Sequence, residues 1–429
     1  MKGIFKKIIL VIIKYESKLI LKKYKPKIVA ITGNIGKTST KDAVFSVMSK
    51  DFYTRKSEKS FNSDIGIPLT ILGRQNAWSN PIGWAKNILY GIEILLVGRS
   101  YPEWLILEVG ADRPGDIKEI SKWLKPDVVV LTAFAKVPVH IEFFKGREEV
   151  IKEKRYLADA LKHDGYLIVN GDDDDAMKIR EELKNNSIVF GTDKVSDLVA
   201  SDIKIYYENK KPVGMTFKAC YKDNIIPIIL KGSLGMQNIY SSLAALAVGM
   251  SQKINLIRAS EALLNHESPR ARIKIIGGIN DSIILDDTYN SSPAALENAL
   301  LMLGEIKGMK RKIAVLGDML ELGKHSSDEH YSAGKLVAES ANVLVTVGVR
   351  ARKIAEGALD SGMSEENIFQ FDDSVSAGEF MKDFVKKDDC ILAKGSQSIR
   401  VEKVVLKIMA EPEKAKDLLI RQEEEWKNR

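Results

Sequence analysis

A chain of 429 residues is longer than one ordinary core, and at roughly 150 residues per domain it points to two or three domains. Hydrophobic residues make up 45% and charged residues 29%, a globular balance that excludes a disordered, collagen-like or low-complexity chain. The formal charge of +7 belongs to an arm: residues 1–27 hold nine Lys against the single acid Glu16, the rest carries 56 basic and 57 acidic side chains, and no nucleic-acid face is expected.

In chain order, the arm KGIFKKIILVIIKYESKLILKKYKPK comes first, and its longest apolar run is the six residues Ile8 to Ile13. That is too short to span a bilayer, and no small-residue cleavage site follows it. The interleaving of Lys with bulky aliphatics leaves two readings open: a helix lying on a membrane surface, or an amphipathic helix packed on its own domain. Pro26 closes the arm. KIVAIT (27–32) then reads as a buried strand, and Gly33-Asn34-Ile35-Gly36-Lys37-Thr38-Ser39 follows it, with a helix expected from about Lys37. A Gly-rich turn between strand and helix suits phosphate: backbone N–H groups and the helix N-terminus hold its oxygens, Lys37 neutralises charge, and the Thr38 hydroxyl can bind Mg²⁺. The common P-loop spacing would place Gly at position 31, where this chain has Ile31.

Further strands are expected at WLILEVG (104–110), DVVVLTAF (127–134) and GYLIVNG (165–171), with helices at 116–124 and 147–161 between them. Alternation of this kind predicts a parallel sheet with crossover helices. Near SPRAR (268–272) the pattern restarts with strands SIILDD, KIAVLGD, VLVTVG and DCILAKG and helices at 293–303, 327–340 and 401–409. The fold class is therefore α/β, a P-loop ATPase domain with a parallel sheet followed by a Rossmann-like α/β domain. The domains are drawn at 1–27 (arm), 28–268 (ATP-binding) and 269–429 (C-terminal). Ligands of such sheets sit at the carboxyl ends of strands, which directs attention to the residues just after each one. Only Cys220 and Cys390 are present, too few for a disulfide framework or a four-Cys zinc ribbon, and the cysteine usage fits a reducing cytosol.

Several of these segments resemble the Mur ligases, in family order from residue 28 to about 405. The shortened phosphate loop of that family has the form G-x-x-G-K-T-S/T. Asn62 with Ile65-Gly66-Ile67-Pro68-Leu69-Thr70 and Glu108-Val109-Gly110-Ala111 are similar to two further family elements. Asp286-Asp287-Thr288-Tyr289-Asn290-Ser291-Ser292-Pro293 resembles the D-D-S-Y-N-A-N-P element of the MurF branch. GDMLELG (317–323) and Lys394-Gly395-Ser396 complete the set.

The resemblance implies ATP and two Mg²⁺ as cofactors. It implies Thr38, Glu108 and His140 as metal ligands, although TAFAKVPVHIEFF departs from the family's T-N-I-x-x-x-H. Lys154 is implied to carry a carbamate made from CO₂ and to bridge the second Mg²⁺, with Lys152 as the competing lysine. For ATP it implies Asn238 at the adenine, where Gln237 replaces a family His, together with Arg272, Asp287, Tyr289 and Asn290. Asn62, Lys394 and Ser396 are implied to bind substrate. His330 matches a family His, and a packed helix residue is an equal reading.

The implied reaction joins D-alanyl-D-alanine to UDP-MurNAc-tripeptide through an acyl phosphate, in the cytoplasm and at the inner face of the membrane. Lys37, Lys154 and His140 are the implied catalytic residues. Two departures stand out. MurF enzymes usually carry a uridine-binding domain ahead of the phosphate loop, where this chain has about 27 residues, and the apolar insertion 74–103 is longer than the family needs. Arm and insertion are expected to form a lipid-facing or partner-facing surface. Rival readings are a Mur-type ligase for a lipid-linked or polyglutamate-type carboxylate, and a P-loop switch without catalysis.

Overall fold

The computed structural model describes residues 2–98, 100–138, 140–423 and 426, with side chains from residue 7 onward. Nine strands form the first sheet: β1 (Lys27–Thr32), β2 (Thr54–Lys56), β3 (Trp104–Glu108), β4 (Val128–Leu131), β5 (Tyr166–Asn170), β6 (Asn186–Gly191), β7 (Leu198–Glu208), β8 (Lys211–Tyr221) and β9 (Asn224–Lys231). Their spatial order is β2-β3-β1-β4-β5-β6-β7-β8-β9. The central strands are short apolar, β-branched runs buried on both faces, as parallel strands under crossover helices must be. Expectation and structure differ at the far edge, where β7, β8 and β9 pair antiparallel and extend the parallel sheet by a meander. Their half-exposed residues alternate between buried and open positions, the period-2 pattern of a sheet wet on one face.

The second sheet has the order β10-β11-β15-β12-β13-β14, built from β10 (Lys274–Gly277), β11 (Ile283–Asp287), β12 (Arg311–Gly317), β13 (Val343–Val347), β14 (Ile368–Phe371) and β15 (Asp389–Lys394). Only the edge strand β10 runs antiparallel. The change of sheet falls between β9 and β10. Helices Met236–Ser251 and Leu256–Leu264 fill that stretch and pack on the first sheet and its phosphate-loop helix. A turn at 268–273 then joins the units, with Ala271 and Ile273 in the left-handed region (φ 55 and 50). It is stitched by the Leu234 N–H donating to the Ile273 carbonyl at 3.1 Å.

The arm is one helix, Lys2–Tyr24, and the insertion forms another, Pro81–Val97, begun by Pro81 and by the Asn80 side chain accepting from the Gly83 N–H at 3.1 Å. Both rest on the helix Gly66–Leu72, so the arm packs on its own domain. Among the described residues no helix is long and apolar enough to cross a membrane.

Candidate active site

The carboxyl ends of β1, β3 and β4 face those of β11 and β15 across a cleft of about 400 Å³. The topology sets this up, since each strand hands its next residues to the same edge. On the first sheet, Asn34 and Ile35 donate their N–H groups to the Ala133 carbonyl just past β4, which pins the phosphate loop. Gly36 lies in the left-handed region (φ 86), and the Gln237 side chain occupies the space that a Cβ would need. The helix Lys37–Met48 starts immediately after it, presenting its N-terminus to the cleft. Lys37 curls back, its Nζ donating to the Gly33 carbonyl at 3.0 Å and the Asn34 carbonyl at 3.4 Å. Burial holds its pKa below the ordinary lysine value, Glu108 pulls it back up, and Arg272 adds to the lowering.

Glu108 ends β3 and is buried. Its carboxylate accepts from the Thr38 hydroxyl at 3.0 Å, the Ser60 hydroxyl at 2.7 Å and the Asn62 amide at 3.1 Å. Three donors hold an anion that would otherwise be costly to bury. The loop bearing Ser60 is tied to the phosphate-loop helix by fully buried Lys41, whose ammonium donates to the Ser57 carbonyl at 2.8 Å and the Lys59 carbonyl at 3.1 Å. Neither Ser60 nor Lys41 was singled out from sequence, although Ser60 stands two places before Asn62 in the same short loop.

Lys154 and Lys152 part company. Lys152 is exposed, whereas Lys154 is buried and lines the cleft. Glu153 fixes the rotation of the helix Arg147–Asp159 by accepting from the Gly115 and Lys118 N–H groups, both at 2.9 Å. Burial, and then the charge of Lys37, lower the Lys154 pKa from 10.5 to about 7.

His140 lies nine residues past β4 in the left-handed region (φ 67), further from the strand end than the sequence implied. One ring nitrogen, Nδ1, is 2.6 Å from Glu321 of the GDMLELG segment, and Nε2 is 3.5 Å from Asp112. Glu321 is itself left-handed (φ 62), so both partners of this contact between the two units hold a conformation that L-residues seldom adopt.

On the second sheet, Lys394 at the end of β15 donates to the Asp287 carboxylate at 2.6 Å and to the Asn290 carbonyl at 3.0 Å. Burial depresses the Lys394 pKa, and Asp287 opposes that effect. The Arg272 guanidinium lies 4.2 Å from the centre of the Tyr289 ring, a cation–π contact at the mouth of the cleft. From behind, Arg421 donates to the Thr288 carbonyl at 3.1 Å and pairs with Glu402 at 3.1 Å, so the C-terminal tail holds the loop after β11. Asn238 also faces the cleft, but part of its amide is engaged: it donates to the Leu234 carbonyl at 2.7 Å and accepts from Ser268 at 3.3 Å.

Asn34 to Ser39, Asn62, Glu108, His140, Lys154, Asn238, Arg272, Asp287, Tyr289, Asn290 and Lys394 all line this one cleft. Gly33 stands behind it, serving through the carbonyl that holds Lys37. Ser396 is not among the residues lining the cleft; its hydroxyl accepts from the Leu320 N–H at 2.9 Å and braces the GDMLELG segment. His330 is fully buried, accepting from the Met319 N–H at 2.9 Å and facing the Ser326 carbonyl at 2.6 Å, which makes it a packed helix residue.

Among the described residues no group of three or more His, Cys, Asp or Glu comes together to cage a metal. The Glu108 carboxylate with the Thr38 hydroxyl beside it does fit one hard cation of the Mg²⁺ kind, which takes most of its ligands from phosphate and water.

Two family models match the chain, the Mur ligase middle domain over residues 31–249 and the Mur ligase glutamate ligase domain over residues 271–397. Curated relatives include the UDP-N-acetylmuramoyl-tripeptide--D-alanyl-D-alanine ligase of Buchnera aphidicola, 31% identical over 400 residues, covering 92% of this chain and 79% of that protein. The protein of the same name from Bacillus subtilis is 26% identical over 397 residues, with the same coverage of 92% and 79%. Among solved structures, MurF from Thermotoga maritima in complex with ADP superposes with a TM-score of 0.76 at 24% identity, covering 94% of this chain and 84% of that one. MurF from Acinetobacter baumannii gives 0.75 at 23% identity, covering 92% and 79%. With both domain models matched in order across the two sheets that form the cleft, this chain belongs to the Mur ligase family.

Proposed function

We propose that the chain is an ATP-dependent ligase that forms an amide bond through an acyl phosphate, with UDP-MurNAc-tripeptide as carboxylate donor and D-alanyl-D-alanine as amine, in the cytoplasm. The observation that carries this reading is one cleft in which a phosphate loop, Glu108 and Lys154 of one sheet confront Asp287, Tyr289, Asn290 and Lys394 of the other. The names of the curated relatives supply the substrates.

A carboxylate oxygen attacks the γ-phosphorus and ADP leaves. The amine nitrogen then attacks the acyl carbon, the amide forms, and phosphate departs. Two anions must meet in the first step, so the site has to offer compensating positive charge. Lys37, the helix N-terminus at Lys37–Met48 and Arg272 provide it from the protein. Mg²⁺ held by Glu108 and Thr38 would supply further charge neutralisation at the phosphates. Tyr289, Asn290 and Asn238 line the cleft, and their aromatic face and amides are the chemistry that a nucleoside would use. Addition of the Lys154 amine to CO₂, with release of a proton, would leave an anionic carbamate able to offer a further oxygen to a cation there. His140, held by Glu321, brings the two units together so that water is kept from the acyl phosphate.

Phosphate release with ATP, Mg²⁺, D-alanyl-D-alanine and UDP-MurNAc-tripeptides, with product mass recorded, tests this reading. Release should require both the carboxylate and the amine, and Lys37→Ala should reduce it by at least about 10³-fold, the scale on which electrostatic groups at phosphoryl transfer act. Slow hydrolysis indifferent to amine would instead identify a nucleotide switch. Turnover with a different carboxylate, and none with the UDP-linked peptide, would reassign the substrate.

A further inference from the structure

The arm helix Lys2–Tyr24 and the insertion helix Pro81–Val97 lie side by side and run in the same direction. Ile9 and Ile13 share a cluster with Trp84, the Glu16 carboxylate lies against Gly91, and the Tyr24 hydroxyl donates to the Ile94 carbonyl at 2.8 Å. The inward rows are Ile9, Ile13, Glu16, Ser17 and Ile20 on one helix and Trp84, Asn87, Gly91 and Ile94 on the other.

Opposite them, at the alternating three- and four-residue spacing of one helix face, run Ile8, Val11, Tyr15, Lys18 and Lys22 beside Ile82, Ala85, Leu89, Ile92 and Leu96. Leu96 is 79% exposed, Ile82 68% and Val11 66%. Among the described residues, eight of the nineteen exposed large hydrophobic side chains lie on these two helices, although the pair makes up under a tenth of the chain. A concentration of that kind on a folded surface marks a binding face.

Charge identifies what it fits. The only acid of the arm, Glu16, is turned inward, while Lys7, Lys18 and Lys22 are open on the arm and Lys86 on the insertion helix. A protein partner would have to desolvate and pair these ammonium groups, and protein interfaces are depleted in Lys. A lipid surface accepts both features at once: aliphatic tips enter the acyl boundary while lysine stems snorkel to anionic headgroups. Neither helix is built to cross the bilayer.

We infer that the outer faces of these two parallel helices dock together on an anionic lipid bilayer, with the chain lying on the surface. The docking face is outside the cleft, so this inference and the reaction assigned to the cleft fail separately. Flotation of the full chain with vesicles of about 30 mol % phosphatidylglycerol in phosphatidylcholine, against pure phosphatidylcholine, is the test. Binding should favour the anionic vesicles at least about tenfold and weaken with salt. The exposed pair Leu89→Ser with Leu96→Ser should lower binding at least about tenfold, as should Lys18→Glu with Lys22→Glu, with phosphate release in solution and the melting temperature unchanged. No binding by the intact chain, or binding untouched by either pair, overturns the inference. So does a dimer in solution that Leu89→Ser with Leu96→Ser dissolves, since that assigns the face to a second copy.

Discussion

Among the described residues Lys154 forms no hydrogen bond or ion pair, and after burial the strongest influence on it is the charge of Lys37, which Glu153 and Asp112 oppose more weakly. A cationic Lys154 is thus disfavoured twice, by burial and by a like charge, which brings its pKa to about 7. The neutral amine, the only form that can add to CO₂, therefore becomes the major form as pH rises through that value. With bicarbonate held constant, turnover should climb across pH 7 and level off above it. Lys154→Ala should lose about 10²-fold in turnover and recover part of it in short carboxylic acids that restore an anion in the vacated space. Full activity of that variant at ambient CO₂ would remove the carbamate from the mechanism. This lysine was legible in sequence by its place in a family pattern alone, since a charged helix gives no local sign of which side faces a cleft. The fold decides it, through Glu153 capping the neighbouring helix Asp116–Ser121.

At the scale of elements, the seam between arm and insertion holds an unusual group. Glu16 is buried against Gly91 with one carboxylate oxygen lacking a hydrogen-bond partner, and burial raises its pKa to about 7. The folded state keeps a proton that the unfolded chain releases near 4.5, so stability is lost as pH rises from about 4.5 to 7. Glu16→Gln should abolish that slope and raise stability at pH 8 by about 1–2 kcal/mol, measured as melting temperature against pH. Equal melting curves for the two proteins would place Glu16 in contact with water.

Elements were legible to unequal degrees. The phosphate loop and the strand ends carrying Glu108 and Asp287 could be read because turn chemistry and hydrophobic runs coincide there. The meander β7–β9 could not: Ile205 and Phe217 sit among polar residues in β7 and β8, and Pro227 interrupts the apolar run of β9, where a proline argues against a strand. The bond that Ser396 makes could not be read either: position after a strand says nothing of where a hydroxyl turns, and here it accepts from the Leu320 N–H.

The whole molecule is two sheets sharing one cleft, and its working parts are divided between them. His140 and Glu321 touch across that division at the cleft, beside the ion pairs Lys59–Glu423 and Lys211–Asp281, and both of their backbones sit in the left-handed region. Strained positions of this kind persist where surrounding structure holds them, and they favour one arrangement of the units over others. Glu321→Ala should lower turnover roughly tenfold, equivalent to about 1.4 kcal/mol of barrier, while ADP affinity changes little. Steady-state kinetics beside calorimetric ADP titration would show it. Unchanged turnover would mean that the pair does not govern closure. Nothing in the sequence announced this contact, because it joins residues 181 positions apart whose motifs each have local explanations.

One connection ties the outer surface to the chemistry. The arm helix ends at Tyr24, Pro26 follows, and β1 runs from Lys27 straight to the phosphate loop with neighbours hydrogen-bonded on both sides. Six residues of strand span about 20 Å and hardly stretch. That strand works as a strut: it sets the phosphate loop at a fixed standoff from the arm, so any surface that the arm rests on lies at a set distance from the cleft.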